Sequence, residues 1–310
     1  MKSTKCLIIG SGPAGYTAAI YASRAGFKPV LLAGPMQGGQ LTTTNEIENY
    51  PGFPNPVSGF ELTDLMRQQA QRFGAEIVAE TVTSADFSKR PFAVGTDGGQ
   101  SYSADTVIIA TGATAKYLGL PSEKKFMGMG VSACAVCDGF FYRGKDVIVV
   151  GGGDTAASDA LYLSQMCRKV YLAVRKNYLR ASEVLQQRLR DAENIEILFE
   201  HNVTEIVGTD GVEGVTLKYR MGTADEKELS LPVSGYFAAI GRVPQTELFA
   251  SQVDCDDNGY IITDGLSTET NIEGVFACGD CADPIYRQAV VAAGSGCKAA
   301  LDVERFLSKH

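Results

Sequence analysis

One short pattern occurs twice in this chain and limits its fold more tightly than any other feature. An apolar strand runs into a glycine-rich turn, the turn opens a helix, and a second apolar strand follows. In the first copy residues 6–9 are the strand, Gly10-Ser11-Gly12-Pro13-Ala14-Gly15 the turn and 16–25 the helix; Gly26 then separates that helix from a strand at 29–32. In the second copy the strand is 147–150, the turn Gly151-Gly152-Gly153-Asp154-Thr155-Ala156, the helix 157–166 and the next strand 170–174. Glycine at the first position permits a tight turn. At the second it lets backbone approach a pyrophosphate, and at the third it lets helix pack on strand. The helix N-terminus adds amide donors and a partial positive charge. A Gly-x-Gly-x-x-Gly inside a βαβ unit of about 30 residues is a specific signal, whereas the same glycines alone are a weak one. Two such units predict an α/β protein with two Rossmann-like dinucleotide-binding domains.

Length and composition agree. A chain of 310 residues makes about two domains at roughly 150 residues each, and 45% hydrophobic residues is ordinary for packed globular protein. Lys and Arg number 28 against 36 Asp and Glu, a net charge of −8, which argues against nucleic acid or an anionic membrane as partner. No apolar run reaches the roughly 18 residues that a membrane span needs. The apolar start breaks at Gly10, so a cytoplasmic protein without a signal peptide is expected. Eight cysteines are too few for a disulfide scaffold in a chain this long; in a reducing compartment a CxxC pair points to metal or redox chemistry. With His201 and His310 as the two histidines, a His-rich metal site is excluded, and His201 reads as a surface residue.

Further strands end in turns. Residues 106–110 run into Thr111-Gly112, residues 235–240 into Gly241, and 274–278 into Gly279-Asp280; a helix over 288–306 closes the chain. The economical layout inserts one domain into the other, 1–113 with 244–310 forming the outer domain and 114–243 the inner.

The two nucleotide loops differ at the tip of the following strand. The first ends in Leu32-Ala33-Gly34, with no acid for a ribose hydroxyl. The second ends at Val174 and is followed by Arg175, Lys176 and, four residues on, Arg180. A cationic cluster there suits a 2′-phosphate and hence NADPH; the competing reading is a solvated basic loop. Cys134-Ala135-Val136-Cys137-Asp138 is the third motif. Two cysteines three apart can close a disulfide that exchanges electrons, and an adjacent carboxyl can move the protons that thiol exchange requires. Zinc is the alternative, with Cys278-Gly279-Asp280-Cys281 as a second pair, but zinc ribbons separate their pairs by only about 15–20 residues. Cys278 and Cys281 read as semi-buried packing residues, and Cys6, Cys167, Cys255 and Cys297 as structural.

Taken together, these motifs resemble the low-molecular-weight thioredoxin reductases along essentially the whole chain. Gly38-Gly39-Gln40-Leu41 and Glu48-Asn49-Tyr50-Pro51-Gly52 resemble that family's flavin-contacting loop, and Ala110-Thr111-Gly112 its strand end. Ala239-Ile240-Gly241-Arg242-Val243-Pro244 is similar to the return crossover, and Phe276-Ala277-Cys278-Gly279-Asp280 with Arg287-Gln288-Ala289 to the terminal flavin motif. The resemblance implies two Rossmann-like domains of the three-layer ββα type, one inserted in the other. It implies FAD in the outer domain, held by Gly10 to Gly15, Gly38 to Leu41, Asn49, Ala110 to Gly112, Gly279, Asp280 and 287–289. It implies NADPH in the inner one, held by Gly151, Gly153 to Ala156, Arg175, Lys176, Arg180 and Ile240 to Arg242. By the same resemblance Cys137 receives electrons from the flavin, Cys134 attacks the disulfide of thioredoxin, and Asp138 is the acid–base group. The inner domain rotates on its crossovers between half-reactions, and the protein is a homodimer without a metal.

Three departures stand out. The basic cluster usually reads His-Arg-Arg, whereas here it is Val174-Arg175-Lys176, which weakens recognition of a 2′-phosphate. Ser158-Asp159 stands where a pair of glutamates is common, and Cys278 and Cys281 replace small apolar residues. A flavoprotein acting on ferredoxin or another small disulfide acceptor would share the fold, but the ferredoxin type has no use for Cys134 and Cys137. A non-catalytic dinucleotide sensor would carry no flavin that NADPH bleaches.

Overall fold

The alternation along β1 (Lys2–Ile9) dictates the layering of the first unit. Cys6 and Ile8 enter the core on one face of the strand, Leu7 and Ile9 that on the other, and all four are buried. A strand buried on both faces needs a layer on each. The computed structural model describes residues 1–44 and 46–309, so His310 lies outside the described residues. The chain divides into two compact units, Met1–Thr114 with Val243–His310 and Ala115–Arg242.

After β1 comes α1 (Pro13–Arg24), which opens on a proline whose fixed φ and missing N–H suit a first helical turn. β2 (Val30–Leu32) pairs in parallel with β1. α2 (Gly59–Arg72) is capped by Ser58, whose hydroxyl accepts the Glu61 N–H at 3.1 Å. β3 (Glu76–Val78) extends the sheet beyond β2, and β4 (Val82–Asp86), β5 (Phe92–Thr96) and β6 (Ser101–Ile109) form a meander whose last strand lies parallel to β1. The chain leaves along β7 (Ala113–Ala115).

The second unit contains α3 (Pro121–Lys125), β8 (Val131–Ser132), α4 (Ala135–Asp138), β9 (Asp146–Val150), α5 (Asp154–Ser164), β10 (Lys169–Val174), α6 (Glu183–Asp191) and β11 (Ile195–Phe199). An antiparallel sheet of β12 (His201–Val207), β13 (Gly214–Tyr219) and β14 (Lys227–Leu231) follows, then β15 (Gly235–Ala238). The main sheet is parallel, in the order β11-β10-β9-β15-β8. Val147 and Val149 pack with Ala157, Ala160 and Leu189 of the helices. Ile148 and Val150 pack with Val203, Ile206 and Leu217 of the antiparallel sheet. The return strand β16 (Arg242–Pro244) pairs with β7. In the outer unit β17 (Val275–Ala277) lies parallel to β6, and α7 (Ala289–Lys309) packs on α1 so closely that a Cβ on Gly296 would lie 2.1 Å from the Ala14 carbonyl oxygen. The inner unit is a parallel sheet between helices and an antiparallel sheet, and in the outer unit the antiparallel β4 and β5 continue the parallel strands in one seven-stranded sheet, the α/β architecture of two dinucleotide-binding domains.

Several details differ from the sequence reading. Helices α1 and α5 each begin three residues earlier than expected, at Pro13 and Asp154, because the second glycine of each loop already serves as N-cap. The helices α2 and α6 and the sheet β12-β13-β14 were not foreseen. His201 opens β12 and is partly exposed; its ring Nδ1 donates to the Phe199 carbonyl (2.7 Å) and its ring tilts against Tyr219. Among the described residues, no helix is long and apolar enough to cross a membrane, and no three His, Cys, Asp or Glu side chains cluster as a metal would need.

Candidate active site

The outer unit gathers its predicted nucleotide residues at the carboxyl ends of β1 and β6. A Cβ on Gly10, which has φ +111°, would lie 2.2 Å from the Ala110 carbonyl oxygen, and one on Gly15 would lie 1.9 Å from that of Gly10. A Cβ on Gly12 would meet nothing within 4 Å. The first and third glycines are therefore fixed by backbone pressing on them, while the second faces open space at the start of α1. That is the cradle a pyrophosphate requires. The Ser11 hydroxyl donates to Ala33 O (2.8 Å) and accepts the Gly38 N–H (3.1 Å), stapling the loop of Gly38, Gly39, Gln40 and Leu41 beside the first turn. Thr111 Oγ1 donates to Gln245 O (2.7 Å) just before Gly112. Gly279 lies against Ala14, and its N–H donates to Ser295 Oγ (2.9 Å), which sets Asp280 at the same end of the sheet. Asn49 donates to Gln288 (3.5 Å) across 239 residues of sequence; Arg287 and Ala289 flank that glutamine. These residues fit a flavin dinucleotide.

The inner unit repeats the test with the same outcome. A Cβ on Gly151 would lie 2.4 Å from Ala239 O, whereas one on Gly153 would meet nothing within 4 Å; Ala156 fills the third position and is fully buried. Thr155 lies in the first turn of α5. Arg175, Lys176 and Arg180 are all exposed after β10. Two bonds fold their loop onto the cradle: the Arg180 N–H donates to Gly152 O (2.7 Å) and the Ser182 N–H to Asp154 Oδ1 (2.8 Å). Gly241, next to Ile240, accepts the Lys116 N–H at 2.9 Å, and Arg242 Nη2 donates to Ala133 O (3.1 Å) beside the CxxC.

Cys134 and Cys137 are joined in a disulfide at the carboxyl end of β8. The Cys134 N–H donates to Ser132 Oγ (3.0 Å), the Cys137 N–H to Cys134 Sγ (3.3 Å), and the Asp138 N–H to Cys134 O (3.1 Å). Burial pushes the Asp138 carboxyl above the usual carboxylate range, and a hydrogen bond from the Ser132 hydroxyl partly offsets this. A raised carboxyl holds its proton closer to neutral pH, as a group that delivers protons to departing thiolates must. The Tyr142 phenol is pushed up to about 12, chiefly by burial and then by the charges of Asp138 and Cys167.

The other cysteines are free thiols. Cys278 and Cys281 are fully buried at 1% and 0% exposure rather than semi-buried, and burial is the main cause that raises both thiols. They pack into the cores on opposite faces of the outer sheet, which suits packing residues. Ser132 was not singled out from the sequence. A serine two residues before a CxxC carries no pattern of its own, and its role shows only when β8 turns into α4.

Residues 4–296 match the family model described as pyridine nucleotide-disulphide oxidoreductase. A curated relative named thioredoxin reductase from Rickettsia felis is 51% identical, over 99% of this chain and 99% of its own. One of the same name from Escherichia coli O157:H7 is 50% identical over 99% of this chain and 97% of its own. The solved structure of thioredoxin reductase from Giardia duodenalis superposes with a TM-score of 0.94 at 42% identity, covering 99% of this chain and 100% of that one. That of the Streptococcus pyogenes enzyme gives 0.93 at 37% identity, with 99% of each chain covered.

Proposed function

The chain belongs to the pyridine nucleotide-disulphide oxidoreductase family, and we propose from that membership that it is a thioredoxin-disulfide reductase. The observation that carries this reading is the Cys134–Cys137 disulfide, with Asp138, whose carboxyl is raised by burial, beside it, in a unit that also has an open nucleotide cradle. A flavoprotein serving ferredoxin has no role for that disulfide and is not favoured.

FAD is assigned to the outer cradle, with Gly10 to Gly15, Gly38 to Leu41, Asn49, Ala110 to Gly112, Gly279, Asp280 and 287–289 around it. NADPH is assigned to the inner one, where Arg175, Lys176 and Arg180 offer positive charge to a 2′-phosphate. When bound, the two cofactors supply a hydride and its onward passage as two electrons, which leaves Cys134 and Cys137 as a dithiol. The Cys134 thiolate attacks one sulfur of the thioredoxin disulfide. The bond from Cys134 Sγ to thioredoxin forms as the thioredoxin S–S bond breaks, and Asp138 protonates the departing thiolate. Cys137 then attacks Cys134 Sγ, which restores the Cys134–Cys137 disulfide and releases the second thioredoxin sulfur. The enzyme dithiol loses two electrons and two protons and the thioredoxin disulfide gains both, so Asp138 carries protons without consuming them.

The physiological partner is thioredoxin or a protein of its kind, and the active form is a homodimer. Six free cysteines fit a reducing cytoplasm. Anaerobic titration with NADPH tests the reading. Serine at Cys134 or at Cys137 should leave flavin bleaching by NADPH intact and abolish thioredoxin reduction; steady turnover with thioredoxin in either variant would sink it.

A further inference from the structure

The Ser132 hydroxyl sits between two parts of the proposed thiol-exchange machinery. Ser132 ends β8 at 6% exposure. Its oxygen accepts the Cys134 N–H at 3.0 Å, its hydroxyl reaches Cys134 O at 3.4 Å, and that same carbonyl accepts the Asp138 N–H at 3.1 Å. Ser132 is also the side chain whose hydrogen bonding lowers the Asp138 carboxyl against the rise that its burial causes. A hydroxyl has one proton and two lone pairs, so it cannot donate to Asp138 and to Cys134 O together. With Asp138 ionised, the proton belongs on the carboxylate. With Asp138 protonated, Asp138 can itself donate, and the Ser132 proton is free to turn to Cys134 O. Whichever way it turns, the oxygen keeps the Cys134 N–H. A buried hydroxyl with two such neighbours links the protonation of Asp138 to the backbone that carries the reactive sulfur.

We propose that Ser132 is a positioning residue for thiol exchange, its hydroxyl holding the Asp138 carboxyl and the Cys134 backbone in one hydrogen-bonded unit. The inference rests on the role assigned to Asp138 above. The other ionisable groups around that carboxyl are Tyr117 and Tyr142, whose phenols respond to its charge, Arg242, which donates to Ala133 O, and the two cysteines of the disulfide. None of them takes the Cys134 N–H, so none replaces Ser132 in this link.

The experiment follows the pH dependence of single-turnover thioredoxin reduction by the prereduced holoenzyme in Ser132→Ala, Ser132→Thr, Ser132→Val and Asp138→Asn. Threonine and valine have the same shape and differ in the hydroxyl, so that pair isolates the hydrogen bond even if alanine disturbs folding. Asp138→Asn identifies the limb of the profile that belongs to Asp138. Because the Ser132 hydrogen bond favours the ionised carboxylate, its loss should move that limb to higher pH by about half to one unit in the alanine and valine variants. Threonine should leave it in place, and flavin bleaching by NADPH should be unchanged in all three Ser132 variants. A limb that stays put in valine, or that moves equally in threonine and valine, overturns the proposal. A profile unaltered by Asp138→Asn overturns the role of Asp138 itself, which is a separate failure.

Discussion

Gly12 and Gly15 stand three residues apart and make opposite demands on an added methyl group. On Gly15 it would lie 1.9 Å from a backbone oxygen, and on Gly12 it would meet no protein atom within 4 Å. Gly15→Ala should cost about 2–3 kcal/mol or more, as overpacking against backbone does, and it should show in denaturant unfolding of the apoprotein. Gly12→Ala should unfold within about 0.5 kcal/mol of the parent, as substitutions into open space do, yet purify with less flavin, read from its visible absorbance. If both variants lose stability equally, the open cradle is misassigned. The roles of these glycines were legible in the sequence because each follows from backbone geometry. Asp138 was legible only as a neighbour of cysteines, since its raised carboxyl depends on burial that no motif encodes. That burial carries a further consequence. A carboxyl whose folded pKa lies above its unfolded value stabilises the fold fully below the unfolded value and loses that contribution as pH rises through the folded one. At neutral pH the buried charge is therefore a cost, and Asp138→Asn should raise the melting temperature there while slowing thioredoxin reduction. The gain should shrink as pH falls below the ordinary carboxylate range; a gain that is the same at all pH values would contradict it.

At the scale of elements, α2 shows how a supporting helix escapes notice. Its signals are present: Ser58 three residues before Glu61, and buried residues at 62, 63, 66 and 70. They sit in a polar stretch that opens with a glycine, so the period is faint beside that of α1, where Pro13 and the glycine loop mark the start. Yet α2 braces the loop of Gly38 to Leu41. A Cβ on Gly59 would lie 1.8 Å from Leu41 O, and one on Gly38 would lie 2.5 Å from Thr63 Oγ1. Ser58→Ala removes the cap from the Glu61 N–H and should cost about 1 kcal/mol in thermal or denaturant unfolding, with Ser58→Asp retaining most of the stability. If alanine costs nothing, the cap is not made. The sheet β12-β13-β14 was hidden for another reason. β12 and β13 show no clean two-residue alternation and β14 has no buried residue, and the buried Val203, Ile206 and Leu217 find their partners on the distant parallel strand β9. What the sequence did show of the elements is what a local motif can encode, namely the glycine-led helices α1 and α5 and the strands that feed them.

On the scale of the molecule, the parallel order β9-β15-β8 has a functional consequence. The disulfide follows β8 and the nucleotide loop follows β9, both at the carboxyl edge, and Ser132 and Val149 both register with Phe237 of the strand between. Two inter-strand steps separate the motifs by about 10 Å. In the proposed assignment, one flavin in the outer unit must exchange electrons with both. In that assignment a disulfide engaged with the flavin would be closed to a protein partner. The chain passes between the units twice, through β7 and β16, a connection compatible with rotation of the inner unit between half-reactions. A reversible cross-link between the two units should therefore abolish NADPH-driven thioredoxin reduction while sparing one half-reaction, either flavin bleaching by NADPH or electron passage from reduced flavin to the disulfide. Releasing the link should restore turnover. Linked protein that turns over at the full rate would show that one arrangement serves both sites, and the rotation would have to be abandoned.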